Sequence, residues 1–270
     1  MEKLIVTLAP TGNVPTKGMN PAVPLSAAEI ADDVAKCAEL GVSVAHIHAR
    51  DDGGRPTHDR GAYAAILDEI RRREPNVITM LSTGARGGEN TIESRGQMLD
   101  LGCEMASLAT GSSNFPGSVN ANPPELIEAL AARMRECGVR PEIECFDVGM
   151  ISNALRLLER GVLVAPLHFN LVLGVPGSIA ATPQNLLFMV RSLPRGSTWS
   201  ACGIGRAQVP IISMALLLGG HVRTGLEDTL LYEKGVAATN AMLVERVVRI
   251  ARELAREVAA PDEARRILGI

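Results

Sequence analysis

Two histidines separated by one residue are the strongest chemical signal in this sequence. His46-Ile47-His48 follows the apolar residues 42–45, which predict a β-strand. Side chains two apart in a strand point to the same face, so both imidazoles can reach one metal ion. A third ligand is needed, and the best candidate is Glu227, which follows a later apolar strand. Two histidines and one carboxylate leave coordination positions open, as in a reactive metal site.

The same three residues also have a structural interpretation. His46 and His48 could be strand histidines whose ring nitrogens bond to backbone groups. Glu227 could be a carboxylate favoured by the dipole at the start of a helix. Their position in the fold decides between the two interpretations.

Two other groups of residues also allow two readings. Arg223 and Asp228 could form an ordinary ion pair. Gly203 and Gly205, followed by Arg206, could form a tight turn into a helix. Backbone amides and a cation at such a turn would also suit a phosphate.

The composition limits the class of protein. The chain has 270 residues, of which 46% are hydrophobic and 21% charged, so it can bury one large core. Its formal charge is −3 and only 3% of its residues are aromatic. It therefore lacks the basic surplus and the stacking side chains of proteins that bind nucleic acid. Small molecules are the expected partners.

The cysteines and the apolar segments indicate the compartment. Five cysteines without a C-x-x-C pair predict a reduced, cytoplasmic protein without a disulfide framework or a zinc knuckle. The N-terminus lacks the pattern of a secretory signal, and the apolar residues 211–218 are far fewer than a membrane span requires. We therefore expect no membrane association.

Short apolar runs alternate with segments of helical periodicity along the chain. The predicted strands are residues 4–9, 42–46, 77–81, 105–108, 142–145, 163–168, 198–202 and 220–223. The intervening segments carry helix start signals, such as the capping box of Ser26 and Glu29. Eight such units in roughly 250 residues predict an α/β fold, a single (β/α)₈ (TIM) barrel domain over residues 1–270. A doubly wound sheet is less favoured because the first βα turn lacks G-x-G-x-x-G.

Polar residues follow nearly every predicted strand, at the end where barrel enzymes build their active sites. They lie at residues 11–16, 46–51, 82–86, 107, 111–115, 142–147, 168–170, 203–206 and 221–228. We therefore expect an active site at this rim.

Together these segments resemble the β-keto acid cleavage enzyme family. The matching motifs run in order along nearly the whole chain and include Asn20-Pro21-Ala22-Val23-Pro24, His46-Ile47-His48-Ala49-Arg50-Asp51, Ser82-Thr83-Gly84, Pro141-Glu142-Ile143-Glu144, Gly203-Ile204-Gly205-Arg206 and Gly225-Leu226-Glu227-Asp228. The resemblance implies a zinc-dependent barrel enzyme that condenses a β-keto acid with acetyl-CoA, releasing acetoacetate and a new acyl-CoA. It also implies a homo-oligomer, since relatives form tetramers.

The resemblance also implies roles for individual residues. The implied Zn²⁺ ligands are His46, His48 and Glu227. The implied catalytic residues are Asp228 as the base, Arg223 as its partner, and Glu144. The expected substrate-binding residues are Ser82, Thr83, Gly84 and Ser107. The expected contacts to CoA are Gly203, Gly205 and Arg206.

One departure from the family pattern concerns the substrate. Members that cleave 3-keto-5-aminohexanoate have a Glu in the Thr-Gly-x-x motif after the first strand, and this chain has Val14 there. An ammonium group buried beside Val14 would lack a counter-ion, so we expect a β-keto acid with an uncharged side chain. Arg86, in the loop after Ser82, leaves open the alternative that a distal carboxylate is bound.

Three rival functions share parts of this pattern. Metal-dependent hydrolases on barrels also use H-x-H, but on the first strand, and they need Lys or His where this chain has Glu144. Iron oxygenases share the ligand set, but their usual scaffold is all-β. A non-catalytic, metal-stabilised protein that binds acyl-CoA or keto acids is the third alternative.

Overall fold

Eight parallel strands form a closed barrel in the computed structural model, which describes residues 2–270. Each strand pairs with the next along the chain, and the last pairs with the first. The strands are β1 (Val6–Leu8), β2 (Val44–Ile47), β3 (Ile78–Leu81), β4 (Met105–Ala109), β5 (Arg140–Cys145), β6 (His168–Leu173), β7 (Thr198–Gly203) and β8 (His221–Thr224). The predicted (β/α)₈ barrel is confirmed.

One helix follows each strand, and a further helix ends the chain. The helices are α1 (Ala27–Glu39), α2 (Arg60–Arg73), α3 (Ile92–Gly96), α4 (Pro124–Glu136), α5 (Val148–Glu159), α6 (Pro183–Arg191), α7 (Gln208–Leu217), α8 (Asn240–Glu253) and α9 (Pro261–Leu268). α1 begins at the predicted capping box, in which Ser26 and Glu29 each accept the other's backbone N–H. Within residues 2–270, none of the helices combines the length and apolar character needed to cross a membrane.

Three short antiparallel ribbons extend the rim at the C-terminal end of the barrel. They follow β2, β4 and β8 and pair Ala49–Arg50 with Pro56–Thr57, Ser113–Phe115 with Ser118–Asn120, and Leu231–Glu233 with Val236–Ala237. They are called the β2, β4 and β8 ribbons below. Each can place side chains over the barrel mouth.

The sixth strand lies further along the chain than the sequence pattern predicts. The prediction was residues 163–168, whereas β6 is His168–Leu173. Pro166 cannot donate to a sheet ladder, and the segment before His168 is a partly exposed connection. His168 therefore begins its strand at the base of the barrel, level with Glu142, and does not reach the rim as the pattern suggested.

The barrel interior is apolar on one side and polar on the other. Ile5, Val44, Ile78, Met80 and Met105 pack together with Ala264 and Leu268 of α9, which closes the base. The opposite side carries the buried polar residues Glu142, Glu144, His168, Asn170, Ser200 and Arg223. Glu144 and Arg223 rise from this polar half, formed by β5 to β8, whereas His46 and His48 come from β2.

Candidate active site

His46, His48 and Glu227 converge at the barrel mouth. The Nε2 atoms of the two imidazoles are 3.1 Å apart. Glu227 Oε1 lies 3.3 Å from His48 Nε2, and Glu227 Oε2 lies 3.9 Å from His46 Nε2. The strands that supply them, β2 and β8, are both neighbours of β1. The three side chains form a cluster that could hold a metal ion.

Backbone contacts fix the turn that carries Glu227. Gly225 has φ +150°, and a Cβ there would lie 2.1 Å from the carbonyl oxygen of Ala9, so this tight approach needs glycine. The Glu227 amide donates to that same carbonyl at 3.1 Å. The Leu226 amide donates to the Asn240 side chain at 2.8 Å. The carboxylate is therefore held by both β1 and α8.

Asn13 orients the second histidine. His48 Nδ1 lies 3.0 Å from Asn13 Oδ1, and we assign the proton to Nδ1 because an amide oxygen only accepts. The lone pair on His48 Nε2 then points toward His46 and Glu227. Such a partner on the far ring nitrogen is typical of metal-ligating histidines.

The charge states of the cluster also suit a cation. Burial, with help from Arg223, holds the pKa of His46 well below its usual range, so the ring is neutral and can ligate. Burial alone would raise the pKa of Glu227, but Arg223 and the imidazoles hold it well below its usual range. Glu227 Oε2 is buried without a hydrogen-bond partner among residues 2–270. An ionised oxygen left in this state costs free energy unless a ligand neutralises it.

Arg223 connects three carboxylates. It binds Asp228 through two N–H groups at 2.9 and 3.1 Å. It also contacts Glu227 Oε1 at 2.7 Å and Glu144 Oε1 at 3.1 Å. One guanidinium among three carboxylates has a formal charge of −2 in a buried site when all three are ionised. A divalent cation at the neighbouring ligand cluster would balance it.

Glu144, like Asp228, differs from Glu227 in having a pKa that burial raises. Burial raises its pKa to about 8, with Arg223 acting in the opposite direction. A carboxyl group with such a pKa can hold or release a proton near neutral pH. Its position next to Arg223 places this proton beside the reactive cluster.

A cavity of about 300 Å³ opens over these groups and is called the metal cavity below. Its lining combines polar groups, among them His48, Ser82, Arg223, Glu227 and Asp228, with apolar side chains, including Phe115, Phe146 and Val172. A few convergent polar groups in an apolar pocket are typical of a small-molecule site.

A second cavity, of about 640 Å³, adjoins the first and is called the ribbon cavity because the β8 ribbon forms one wall. Its lining includes Met19, Arg206, Leu231, Tyr232 and Lys234. The two cavities share Val14, Pro15, Ile204, Glu227 and Asp228. Glu227 and Asp228 therefore border both spaces.

The structure separates the four expected substrate-binding residues after β3 and β4. Ser82 and Gly84 line the metal cavity, whereas Thr83 and Ser107 are not among its lining residues. Thr83 Oγ1 donates to the Ser107 carbonyl at 2.6 Å, and Ser107 Oγ accepts the Thr83 amide at 3.3 Å. These two hydroxyls join β3 to β4 beneath the cavity, so they support its floor. Val14 and Arg86, the two residues tied to substrate choice, both line the cavity.

The three expected CoA contacts also separate. A Cβ on Gly203 would lie 2.4 Å from the Ala207 carbonyl, so this glycine permits a close turn. The Gly205 amide already donates to the Asp228 carbonyl at 2.7 Å, which leaves it unavailable to a phosphate. Both glycines therefore have a structural role that the motif did not predict. Arg206 lines the ribbon cavity.

Gly12, Asn13 and Arg50 have roles at the site that the sequence pattern does not predict. The buried Arg50 donates to the carbonyl oxygens of Gly12 and Pro15 at 2.6 and 2.9 Å and so shapes the loop after β1. The only signal for these residues was their place in polar segments after β1 and β2. Their partners lie far away in sequence, and only the fold reveals them.

Replacing Gly12 by alanine is expected to weaken metal binding. Gly12 has φ +68°, and a Cβ there would lie 2.5 Å from Glu227 Cγ, so the ligand carboxylate must shift. Disturbing the surroundings of a ligand typically lowers metal affinity by about 10–100-fold. Metal titration with a competing chelator measures the effect.

Gly138→Ala is the matched control because Gly138 also has φ +68° but a Cβ there meets nothing within 4 Å. It carries the same backbone strain and should keep the metal affinity of the original chain. Equal affinities for the two variants would contradict the contact between Gly12 and Glu227.

Comparison with known proteins gives the family. A profile of the beta-keto acid cleavage enzyme family matches residues 3–270. The chain is 44% identical over 272 residues to 3-keto-5-aminohexanoate cleavage enzyme from Fusobacterium nucleatum, with 100% of this chain and 99% of the relative covered. It is 40% identical to 3-oxoadipate:acetyl-CoA acetyltransferase from Cupriavidus necator, with 98% and 94% covered.

A solved structure supports the fold independently. The apo structure of ObcA superposes with a TM-score of 0.80 at 23% identity, covering 92% of this chain and 66% of that one. At this identity the likeness shows the fold alone. The family profile and the 44% identical relative cover nearly the whole chain, with the residues of the metal cavity included. The chain belongs to the beta-keto acid cleavage enzyme family.

Proposed function

We propose that this chain is a zinc-dependent acyltransferase that condenses a β-keto acid with acetyl-CoA and releases acetoacetate and a new acyl-CoA. The observation that carries the proposal is the His46–His48–Glu227 cluster beside the Arg223–Asp228 pair at the junction of two cavities. The activities named for the relatives support it, since one cleaves a 3-keto acid and another transfers an acetyl group between acetyl-CoA and a 3-oxo acid.

The ligand set favours zinc. Two imidazoles and one carboxylate suit Zn²⁺ and leave a position for substrate. When bound, the metal would supply Lewis-acid polarisation of the substrate carbonyl, which stabilises an enolate without redox change. His46, His48 and Glu227 would hold it, and Arg223 would keep Glu227 ionised.

Asp228 is proposed as the base that removes a proton from C2 of the keto acid. Asp228 lines the metal cavity and both oxygens of its carboxylate are held by Arg223, so its position is fixed. The C2 carbanion bonds to the acetyl carbon, and the CoA thiolate leaves. The thiolate then attacks the original keto carbon and the C2–C3 bond breaks, giving the new acyl-CoA. The released acetoacetate carbanion takes back the proton.

Arg223 has a second task in this scheme. Oxyanions form at both carbonyl carbons during acyl transfer, and a fixed guanidinium nearby stabilises such charge as it develops. Glu144 contacts the same guanidinium and can supply or accept a proton there.

The two cavities give each substrate its own entrance. The keto acid would occupy the metal cavity, and the pantetheine arm of acetyl-CoA would enter through the ribbon cavity to reach Asp228. Apolar side chains such as Met19 and Leu231, both more than half exposed, line that route. Arg206 and Lys234 at its wall would face the CoA phosphates.

The direct test is to incubate the purified chain with acetyl-CoA and a panel of β-keto acids and to identify new CoA thioesters by mass spectrometry. The proposal predicts an acyl-CoA that corresponds to each accepted acid, together with acetoacetate. A hydrolase would instead turn over substrate without acetyl-CoA. Binding of acids or acyl-CoA without any product would support the non-catalytic alternative.

Replacing Val14 by glutamate is expected to raise activity on 3-keto-5-aminohexanoate. Val14 lines the metal cavity, and a carboxylate there would pair with the 5-ammonium group. A charge-assisted hydrogen bond contributes about 1.5–3 kcal/mol, which corresponds to a rise in kcat/KM of roughly 10–100-fold. Val14→Gln, which adds the same bulk without charge, is the control. An equal gain with both variants would mean that charge at position 14 does not select the substrate.

A further inference from the structure

Arg86 is a cation in the metal cavity without an anionic partner. Its guanidinium is partly buried, and within residues 2–270 no carboxylate lies within 4 Å of it and it donates no hydrogen bond. The other arginines of the rim behave differently, since Arg50 donates to carbonyl oxygens and Arg223 binds carboxylates. A partly buried cation without a partner costs free energy, so a ligand is the natural source of the missing anion.

An aromatic ring fixes the position of this guanidinium. The Arg86 Cζ lies 5.1 Å from the centroid of the Phe115 ring, within the range of a cation–π contact. Phe115 in turn packs edge-on against Phe146, with centroids 5.1 Å apart. Arg86 is thus supported by apolar side chains, while its N–H groups stay free for a ligand.

The side chain of Asn120 is a second hydrogen-bond donor in the metal cavity without a protein partner among residues 2–270. Asn120 is the last residue of the β4 ribbon, only 6% exposed, and lines the metal cavity. Its side-chain amide forms no hydrogen bond with the described part of the chain, although its backbone carbonyl accepts from Asn122. Because Asn120 lines the same cavity as Arg86, its amide is available to a ligand there.

Within residues 2–270, neither donor forms a hydrogen bond or an ion pair with the reacting groups. The metal ligands and Asp228 contact one another and Arg223, whereas Arg86 rests on Phe115. The apolar Val172, Val175 and Pro176 also line the cavity. A chain of methylene groups could lie along them.

We infer that Arg86, with the Asn120 amide, binds a second carboxylate at the far end of the substrate, so that the preferred substrate is a dicarboxylic β-keto acid. The inference rests on the proposed function and selects between the two side-chain classes that the sequence leaves open. The planar fork of a guanidinium matches a carboxylate with two parallel hydrogen bonds. A neutral side chain would leave both donors unpaired.

The test compares two acids of equal length, 3-oxohexanedioate and 3-oxohexanoate, which differ only in the terminal carboxylate. We expect the original chain to prefer the diacid by at least about tenfold in kcat/KM. Arg86→Met keeps the apolar stem on Phe115 and should lower kcat/KM for the diacid by about 100-fold, mainly through KM, while 3-oxohexanoate changes less than about threefold. Arg86→Lys keeps the charge and should fall between the two. Arg191→Met, an exposed position on α6, is the control and should change neither acid.

Equal losses on both acids would overturn the inference, because Arg86 would then act on a part that they share, such as the C1 carboxylate. A preference of the original chain for 3-oxohexanoate would overturn it as well. Calorimetric binding of the two acids needs no turnover and separates this inference from the proposed function. If the original chain binds the diacid more tightly than 3-oxohexanoate and Arg86→Met removes this difference, the inference is supported even without acyl-CoA formation. Equal binding of the two acids to the original chain would contradict it.

Discussion

Replacing His46 by alanine is expected to remove the bound metal and to lower acyl-CoA formation by at least about 10³-fold. The imidazole belongs to the cluster of three side chains proposed to hold the metal, and its Nε2 lies 3.1 Å from that of His48. Without the Lewis acid, the developing enolate charge loses its main stabilisation, and the loss of even one such contact typically costs about 10²–10³ in rate. Elemental analysis of the purified variant and an acyl-CoA assay measure both effects.

His168→Gln is the matched control for this variant. His168 is also a buried barrel histidine, but it lies at the base, where it contacts Thr198 at 2.8 Å and Glu142 at 3.5 Å. This change should alter the melting temperature and leave the metal content unchanged. In the original chain, chelation should abolish activity and added Zn²⁺ should restore it. If His46→Ala kept both metal and activity, the ligand assignment would be wrong.

Replacing Asp228 by asparagine is expected to lower kcat by about 10³-fold and to abolish hydrogen exchange at C2 of the keto acid. Removal of a positioned base typically costs about 10²–10⁴ in rate. The amide keeps the size of the side chain, so metal content should stay normal. Exchange of the C2 proton in D₂O, followed by NMR without acetyl-CoA, reports the first step alone.

Glu144→Gln distinguishes between Glu144 and Asp228, two of the three carboxylates that contact Arg223. Glu144 shares the guanidinium with Asp228 and has a raised pKa, so it is the alternative proton acceptor. We expect this variant to keep C2 exchange and to lose about tenfold in kcat through weaker positioning of Arg223. The opposite result, in which Glu144→Gln stops exchange and Asp228→Asn does not, would transfer the role of base to Glu144.

The barrel could be predicted because its signals are local. Apolar runs, helix start signals and polar segments after the strands repeat along the chain, and β1 to β5 lie within a few residues of their predicted places. The sixth strand was misplaced because its inward face is polar, with His168 and Asn170 buried inside the barrel. An apolar stretch that contains Pro166 resembled a strand more closely than β6 itself.

The metal cluster could be predicted for a similar reason. The i, i+2 spacing of His46 and His48 fixes their common face, and barrel closure brings β2 and β8 to either side of β1. The proximity of Glu227 therefore follows from the fold class once the barrel is assumed. Its distance of 3.3 Å from His48 Nε2 agrees with that expectation.

The supporting contacts could not be predicted, because they depend on side-chain direction and on the close approach of distant segments. The sequence does not show that the Thr83 and Ser107 hydroxyls bond to neighbouring backbone groups. It also does not show that Gly12 lies against Glu227, more than 200 residues away. Only the folded structure shows contacts of this kind.

The most direct test of the account follows the carbonyl carbon of acetyl-CoA. With acetyl-CoA labelled by ¹³C at that carbon and a β-keto acid that the enzyme accepts, the account predicts label at C3 of acetoacetate and an unlabelled new acyl-CoA. Label recovered as acetate, or found in the new acyl-CoA and not in acetoacetate, would show that no carbon–carbon bond forms at the acetyl group and would contradict the account.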